Sequence, residues 1–475
     1  MTGSLIFPNH PLLVITFSIG AILFLSWIAI AVISFKENEM IAFRRSMLMS
    51  IGMSAPYLIV SINLFPYQIL SAQTLLAITA FAILVLILPV GKRTSKITVI
   101  PDNYRFDERD TMFSRHELQQ GTPQSKEYYS AHPKAKNTDD RFRRKPGLLS
   151  PNSKYYDQYY FQAADASFDT IARIRNTVDG PVNPAKIDSK PTEISRFLKQ
   201  WAIKLGSHSV GITTLKPYHL YSVSGREDRY GKPVNINHSY AIAITVEMDF
   251  AAVSSAPLAP TVAESARQYV NSGIIAIQIA KFIRDLGYSA RAHIDGNYLV
   301  ICPLVARDAC LGEIGRMGLL ITPDLGPRVR LAIVTTDLPL AEDNYTRDYT
   351  VEDFCRHCKK CAVNCPAGAI PKGNPGDHNR IKRWKINDAA CFTYWCGVGT
   401  DCGQCLRVCP YSHPNTFLHN LIRVCIRNSL IFRRFALIMD DFLYGRQPKP
   451  KDYTCPAVAG QIKSVNRRRF SSLTT

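Results

Sequence analysis

Nine cysteines between Cys355 and Cys409 stand in two runs whose spacing suits iron–sulfur chemistry. The first run reads Cys-x2-Cys-x2-Cys-x3-Cys-Pro over residues 355–366, and the second ends Cys-x2-Cys-x3-Cys-Pro over residues 402–410. Two such runs are typical of a pair of 4Fe–4S clusters, in which the last cysteine of each run serves the other cluster. The sequence therefore predicts a protein that handles single electrons.

The same spacing divides the cysteines into two predicted ligand sets. The first set consists of Cys355, Cys358, Cys361 and Cys409. The second consists of Cys365, Cys402, Cys405 and one residue before Cys402, either Cys391 or Cys396, with Cys391 preferred. Zinc sites usually show two separate cysteine pairs, and disulfides need an oxidising compartment. The triple run closed by Cys-Pro favours clusters over both alternatives.

The first 90 residues differ from the rest because they contain three apolar runs. These runs cover Leu12 to Phe35, about 46–65 and about 69–90, and each spans the roughly 20 residues or more that a bilayer core requires. Basic residues lie between the first two runs and after the third, namely Lys36, Arg44, Arg45, Lys92, Arg93 and Lys96. The positive-inside rule then predicts three transmembrane helices in residues 1–96, with the soluble part facing the cytoplasm at the inner membrane.

The net charge of +19 is open to three interpretations. A basic face can lie near anionic lipid headgroups, dock an acidic electron carrier, or bind nucleic acid. Charge balance alone does not decide among them.

The soluble part shows a change of pattern along the chain. Residues 97–165 are polar and lack apolar periodicity, which predicts an extended, mostly irregular segment that wraps around a core. Residues 166–347 alternate between helical and strand patterns, which predicts an α+β domain. The helices are expected at Glu193–Leu205 and Glu264–Leu286, and the strands at Ser209–Leu215, Ala241–Met248, Tyr298–Cys302 and Val329–Thr336. The cluster module is expected at 348–416, followed by a basic tail at 417–475.

Two features of the α+β domain are candidates for chemistry. Tyr269 lies on a helix face with Gly273, Ala276 and Ala280, whose small side chains let a flat group approach; the alternative is a half-buried core tyrosine. Arg328 and Arg330 are two residues apart, so an extended strand would project both to one side, where they suit an anion. The alternative for the arginines is a solvated strand edge.

From about residue 100 to residue 414 the chain resembles the catalytic subunit of corrinoid-dependent reductive dehalogenases. The resemblance lies in the cluster runs and in a series of short stretches that follow in order, at 104–111, 145–149, 241–249, 286–290, 311–316, 318–328 and 336–340. It implies a nitroreductase-like core that holds cobalamin beside a bacterial ferredoxin-like module with two clusters. Electrons would pass through the clusters to cobalt, which breaks the carbon–halogen bond of an organohalide.

The resemblance also assigns roles to particular residues. Tyr269 matches the tyrosine that donates a proton to carbon, and Arg328 or Arg330 matches its neighbouring cation. Asn297, at a polar pocket position, and Gly312 and Arg316 are implied as cofactor-binding residues. Expected partners are an organohalide, the lipid bilayer and an electron donor such as ferredoxin, flavodoxin or a reductase, without nucleic acid.

Two other functions remain alternatives at this point. One is a corrinoid enzyme like epoxyqueuosine reductase, which acts on tRNA and for which a basic surface is suitable. The other is a membrane-bound iron–sulfur electron-transfer protein without a substrate of its own. Activity on a halogenated phenol, activity on modified tRNA, and the presence of cobalt would separate the three functions.

Overall fold

A computed structural model describes residues 10–62, 67–88, 103–344, 348–378 and 381–453 and divides the chain into two compact units. The first unit comprises residues 1–94 and 416–448, and the second comprises 95–415 and 449–475. The predicted tail at 417–475 is therefore not a separate region, because its helical part groups with the N-terminal helices. Residues 454–475 of that tail lie outside the described residues.

The elements are numbered along the chain. The α-helices are α1 (Pro11–Lys36), α2 (Met40–Ser61), α3 (Gln68–Ile87), α4 (Met112–Glu117), α5 (Pro123–Ala131), α6 (Pro133–Arg143), α7 (Gln158–Ile174), α8 (Pro191–Lys204), α9 (Phe250–Ser254), α10 (Ala259–Asp285), α11 (Cys302–Asp308), α12 (Thr350–Cys358), α13 (Lys360–Val363), α14 (Asp388–Val398), α15 (Gln404–Arg407), α16 (Phe417–Asn428) and α17 (Leu430–Tyr444). The strands are β1 (Ser209–Thr214), β2 (Tyr240–Glu247), β3 (Ala290–His293), β4 (Glu313–Ile314), β5 (Leu320–Ile321), β6 (Val329–Thr336), β7 (Gly376–His378) and β8 (Ile381–Arg383).

Three helices form in the N-terminal region, as expected, but the prediction of three transmembrane helices is wrong in number. Within the described residues, two helices are long and apolar enough to cross a membrane, α1 with a mean hydropathy of 2.4 and α3 with 2.3. The middle helix α2 carries Arg44 and Arg45 near its start and contains Pro56. It also buries a row of serines at positions 46, 50, 54 and 61, so its composition is far less apolar than the sequence analysis assumed.

Small side chains let α1 and α2 pack closely. A Cβ atom at Gly20 of α1 would lie 2.8 Å from the Cβ of Tyr57 on α2, which is closer than two such atoms approach. Ser50 and Ser54 lie buried one helical turn apart and hydrogen-bond to carbonyls of their own helix. Small residues at helical spacing are the usual means of close helix contact in membrane proteins.

The second unit is built on one antiparallel sheet with the strand order β1-β2-β6-β3. Side chains alternate between its two faces, as the period of two requires. On β2, Ile242 and Ile244 belong to the core under α10, whereas Ala241 and Ala243 belong to the core under α11. Helices therefore cover both faces of the sheet, and the prediction of a mixed helix and strand domain is confirmed.

Several predicted bounds shift in this domain. Strand β6 runs from Val329 to Thr336, as expected. Strand β1 ends one residue earlier than predicted, and β2 begins and ends one residue earlier than predicted. Helix α10 begins at Ala259, five residues before the predicted start, with a proline in its first turn that the helix tolerates there. The predicted strand at Tyr298–Cys302 is wrong, since only an isolated bridge from Val300 to Leu220 forms and Cys302 begins α11.

The segment at 97–165 is not mostly irregular, so that expectation is wrong for its described part. Helices α4, α5 and α6 occupy much of residues 112–143, and α7 begins at Gln158. Each of the first two starts with a threonine whose side chain accepts a hydrogen bond from a backbone N–H, Thr111 and Thr122. These caps start short polar helices that lack the apolar periodicity of a core helix.

Candidate functional site

Tyr269 and Arg330 meet on the face of the sheet that α10 covers. Tyr269 lies in the first half of α10, and Arg330 is the second residue of β6, pointing to the same side as Ala332 and Val334. The guanidinium carbon of Arg330 lies 4.9 Å from the centroid of the Tyr269 ring. The arginine therefore stands over the ring in a cation–π contact.

Arg330 is held in this position by two further groups. Its Nη2 atom donates to Asp401 Oδ2 at 3.1 Å and also to the hydroxyl of Ser265 on α10. Asp401 directly precedes Cys402 of the second predicted ligand set, so a short path of side chains joins Tyr269 to the cluster module. Within the described residues, Nε of Arg330 and Oδ1 of Asp401 are buried without a hydrogen-bond partner.

The surroundings of Tyr269 keep its phenol protonated at neutral pH. Burial raises the pKa of Tyr269, and the Arg330 guanidinium opposes that rise because it stabilises the phenolate. The carboxylates of Asp295 and Asp401 and the thiol of Cys302 shift the same pKa upward by smaller amounts, so these groups stand around the phenol. The hydroxyl is a weak acid with a cation close to its ring.

Arg328 occupies a different environment. It precedes β6 and is fully buried, with Nε donating to Ser412 O at 2.7 Å and Nη1 donating to Met248 O at 2.7 Å. Nη1 also pairs with Glu247 at 3.1 Å. These bonds tie the sheet to the end of the cluster module. The cation over the Tyr269 ring is that of Arg330. The structure thus separates two arginines that the sequence left interchangeable.

The first cysteine set gathers in the structure. Cys355 and Cys358 lie on α12, Cys361 lies on α13, and all three are buried. Burial raises the pKa of the Cys409 thiol well above its ordinary value, and the nearby Cys355, Cys358 and Cys361 raise it further. The four sulfurs therefore share one neighbourhood.

The second cysteine set gathers around Cys405, and Cys391 is part of it. Burial raises the pKa of Cys405, followed by the influence of Cys402, Cys391, Cys361 and Cys365. Burial also raises the pKa of Cys391 to about 12, and the Cys365 thiol raises it further. Cys396 instead packs into an apolar cluster with Met112, Phe142 and Phe392. Geometry thus favours Cys391 over Cys396 as the eighth ligand, and the ligand role itself stays a prediction.

The three residues predicted to bind the cofactor have structural contacts that the sequence did not indicate. Asn297 accepts hydrogen bonds from Arg229 and Arg291, each at 2.6 Å, and donates to Arg175 O at 2.8 Å. Gly312 has a φ of 154°, and a Cβ there would lie 2.2 Å from the carbonyl oxygen of Ile321. Their roles in cofactor binding stay predictions.

Arg316 joins the sheet domain to the cluster module. Its guanidinium is fully buried, stacks 4.6 Å from the Trp384 ring and donates to backbone carbonyls of Cys355 at 3.0 Å, Pro371 at 2.6 Å and Gly373 at 2.8 Å. It lies beside the first cysteine set. This contact, rather than a corrinoid contact, is what the structure shows for Arg316.

Sequence reasoning missed Asp401, Ser265 and Cys302 as members of the Tyr269 site. Asp401 carried one usable signal, because it adjoins a predicted ligand. Ser265 lies four residues before Tyr269, which is one helical turn away on the same face. Cys302 is the last residue of the strand predicted at Tyr298–Cys302, and its place near Tyr269 depends on tertiary packing alone.

Comparisons with known proteins agree with this arrangement. Residues 354–413 match the family model of the 4Fe-4S dicluster domain, which agrees with the interpretation of the cysteine runs as cluster ligands rather than zinc ligands. A tetrachloroethene reductive dehalogenase of Desulfitobacterium hafniense is 37% identical over 201 residues, which cover 40% of this chain and 36% of that protein.

Solved structures give the same result. A catabolic reductive dehalogenase in complex with 3-bromo-4-hydroxybenzoic acid has a TM-score of 0.61 and 25% identity, covering 75% of this chain and 48% of its own. A structure whose title concerns B12-dependent dehalogenation has a TM-score of 0.61 and 26% identity, covering 74% of this chain and 48% of its own.

A weaker similarity connects the chain to an epoxyqueuosine reductase of Salmonella typhimurium, 24% identical over 49% of this chain and 72% of that protein. This chain spans only about half of the solved dehalogenase chains and 36% of the curated relative. The chain is thus similar to reductive dehalogenases over part of their length and carries a 4Fe-4S dicluster domain.

Proposed function

We propose that this protein is a reductive dehalogenase in which two 4Fe–4S clusters deliver electrons to a cobalamin held in a nitroreductase-like core. The observation that carries the proposal is the pairing of Tyr269 with Arg330, joined through Asp401 to Cys402, a predicted cluster ligand. A proton donor and an electron-carrying module thus adjoin each other. Reductive removal of halogen needs both at one place.

The net reaction consumes two electrons and one proton. The carbon–halogen bond of an organohalide breaks, halide leaves with the bonding electrons, and carbon gains a hydrogen. Cobalamin, when bound, supplies the low-potential cobalt that can break such a bond. The protein's own part is to position the substrate, exclude water and provide the proton.

Tyr269 is the proposed proton donor at its Oη atom. Its raised pKa keeps the proton on oxygen at neutral pH, and Arg330 stabilises the phenolate that remains after transfer. Asp401 and Ser265 hold the guanidinium over the ring. Nε of Arg330 is buried and has no hydrogen-bond partner among the described residues, so it is a donor that a cofactor or substrate acceptor could use.

The two cysteine sets are the proposed cluster ligands. Thiolates are the ligands that iron–sulfur clusters require, and four thiols gather at each place. Cys355, Cys358, Cys361 and Cys409 would hold one cluster, and Cys365, Cys391, Cys402 and Cys405 would hold the other. The contribution of Cys361 to the surroundings of Cys405 indicates that the two sets are neighbours, as electron transfer between clusters needs.

An open cleft beside α14 is the proposed entry point for electrons. Arg141, Lys145 and Lys154 line it together with Tyr394 of α14, the helix that carries Cys391. Acidic carriers such as ferredoxin or flavodoxin would be steered toward such a cationic surface. The cleft thus lies where an acidic donor would approach the second cysteine set.

The membrane is the proposed location. Helices α1 and α3 are of spanning length and composition. Lys36, Arg44 and Arg45 lie at the α1–α2 connection, and the positive-inside rule then places this end of the helices on the cytoplasmic side of the inner membrane.

Anaerobic turnover tests the proposed function. Protein reconstituted with iron, sulfide and cobalamin should release bromide from a brominated phenol when a low-potential titanium(III) reductant is supplied. Reduction of epoxyqueuosine in a tRNA stem loop, without halide release, would instead establish the weaker similarity as the functional one. Reduction of the clusters without activity on either substrate would point to an electron-transfer protein.

A further inference from the structure

The two helices after the cluster module present apolar side chains to the outside of the first unit. On α16, Phe417, Leu421 and Val424 are exposed, and Phe417 is 83% exposed. On α17, the exposed apolar residues are Ile431, Phe435, Ile438 and Phe442, with Ile438 at 67%. The spacing of four, three and four residues places the α17 set along one side of the helix. We call these seven side chains the outer stripe.

The opposite faces of the same helices carry charge into the unit. His419 of α16 pairs with Glu37 at 3.1 Å, and Arg433 of α17 donates from Nε to Ile426 O at 3.1 Å. Arg423, Arg433 and Asp440 are all buried. A helix in a water-soluble protein has the reverse arrangement, with apolar residues inside and charges outside. The hairpin of α16 and α17 is therefore built for surroundings that are less polar than water.

The hairpin lies at one defined end of the membrane-length helices. Glu37, the partner of His419, caps the C-terminal end of α1. Arg45, near the start of α2, donates to the carbonyl of Phe442 on α17 and stands over the Phe442 ring. This is the end that carries Lys36 and Arg44, where a spanning helix leaves the hydrocarbon. In a bilayer crossed by α1, the hairpin would thus lie at the level of the lipid headgroups.

We propose that the α16–α17 hairpin is an interfacial membrane element, with the outer stripe inserted among the lipid chains just below the headgroups. Two observations favour lipid over a protein partner. Ile22, Leu25 and Phe81 on α1 and α3 are also exposed, so the first unit has apolar surface that lipid chains could cover beyond the hairpin. Arg427 is exposed beside the stripe, and a basic residue beside an apolar helix face suits anionic headgroups. The inference rests on the proposed membrane location.

Depth-dependent fluorescence quenching in the full-length protein tests the proposal. An environment-sensitive fluorescent amino acid replaces Ile438, or Ile22 as the reference within α1, and each protein is placed in phosphatidylcholine–phosphatidylglycerol nanodiscs. Lipids with a nitroxide near the headgroup or near the chain end act as quenchers, and iodide reports access from water. Both positions are exposed, so the probe displaces no core side chain, and Phe435 provides a second hairpin position.

The proposal predicts that emission from position 438 is lost mainly with the shallow nitroxide and that iodide has little effect. Position 22 should respond more to the deep nitroxide. Quenching of position 438 by iodide but by neither nitroxide lipid would show a hairpin that faces water. Protection of position 438 from all three quenchers would show a hairpin covered by protein. Either result overturns the proposal. If position 22 also escapes the lipid quenchers, the membrane location itself fails, which separates the two claims.

Discussion

At the residue scale, the proposed catalysis depends on Tyr269 as proton donor and on Arg330 as its neighbouring cation. Substitutions can test these two roles separately. Tyr269→Phe removes the proton and leaves the ring under the guanidinium, so we expect halide release to fall by about 100- to 1000-fold. Cluster spectra and cobalamin binding should stay unchanged. Equal rates for the two proteins would exclude the phenol as donor.

The pH dependence follows from the direction of the pKa shift. The donor is the protonated phenol, which is present below its pKa and is lost as pH rises through it. Because the pKa of Tyr269 is raised, activity should persist through neutral pH and decline only in the alkaline range. Arg330→Met removes the group that lowers this pKa, so the alkaline decline of the rate should move to higher pH while the maximal rate falls.

Cys391 and Cys396 provide a matched pair for the eighth ligand. Cys391→Ser should remove one cluster and with it about half of the roughly eight iron atoms that two cubanes hold. Cys396→Ser changes a thiol packed against Phe142 and Phe392 and should keep the full iron content. Iron analysis and EPR of the reduced proteins measure both, and the opposite pattern would assign the ligand to Cys396.

The sequence predicted the residues of the site better than their grouping. Spacing alone selected the cluster cysteines apart from the eighth, since within each run they are separated by only two or three residues. Asp401, by contrast, reaches Arg330 across 71 residues, and no local pattern encodes such a contact. The choice between Cys391 and Cys396 needed α14, where residues five apart differ by about 140° around the helix axis.

At the scale of elements, Arg316 fastens the cluster module to the sheet domain. Arg316→Met would leave the carbonyls of Cys355, Pro371 and Gly373 without their buried donor, so we expect a loss of stability on the order of 3 kcal/mol. Arg316→Lys keeps the charge but not the forked geometry, so its stability should lie between that of the unsubstituted protein and that of Arg316→Met. Thermal unfolding of the iron-loaded proteins measures the effect. Unchanged midpoints in both variants would contradict this role.

The basic cleft beside α14 makes an element-scale prediction about electron entry. Lys145→Glu with Lys154→Glu should slow reduction by flavodoxin about tenfold at low salt, and the difference should shrink as salt screens the charges. Arg196→Glu with Lys204→Glu on α8, which does not line the cleft, is the control of equal charge change. Reduction by dithionite should be the same in all proteins. Equal slowing in both double variants would assign the effect to net charge.

Element prediction succeeded where periodicity was strong. The strands of the central sheet carry apolar residues on both faces, and their bounds were close. The helices at 112–143 were not predicted because they are short and polar. Their starts are marked by caps rather than by an apolar stripe. Helix α2 was wrongly predicted to span the membrane because it is long enough to do so, but serines line its buried face.

At the scale of the whole molecule, the chain combines a unit of membrane-length helices with a redox unit. The similarity to known dehalogenases covers about three quarters of the chain. Residues 416–448 group with the N-terminal helices rather than with the adjacent cluster module. That grouping depends on contacts across nearly 400 residues, such as His419 with Glu37, and local sequence patterns could not reveal it.

The central claim is that iron–sulfur clusters serve a cobalamin beside Tyr269. Metal analysis of protein isolated without oxygen and reconstituted with cobalamin tests it most directly. The account predicts about eight iron atoms and about one cobalt atom per chain, with the cobalt reduced through the clusters. Protein that holds its full iron content and binds no cobalamin would contradict it.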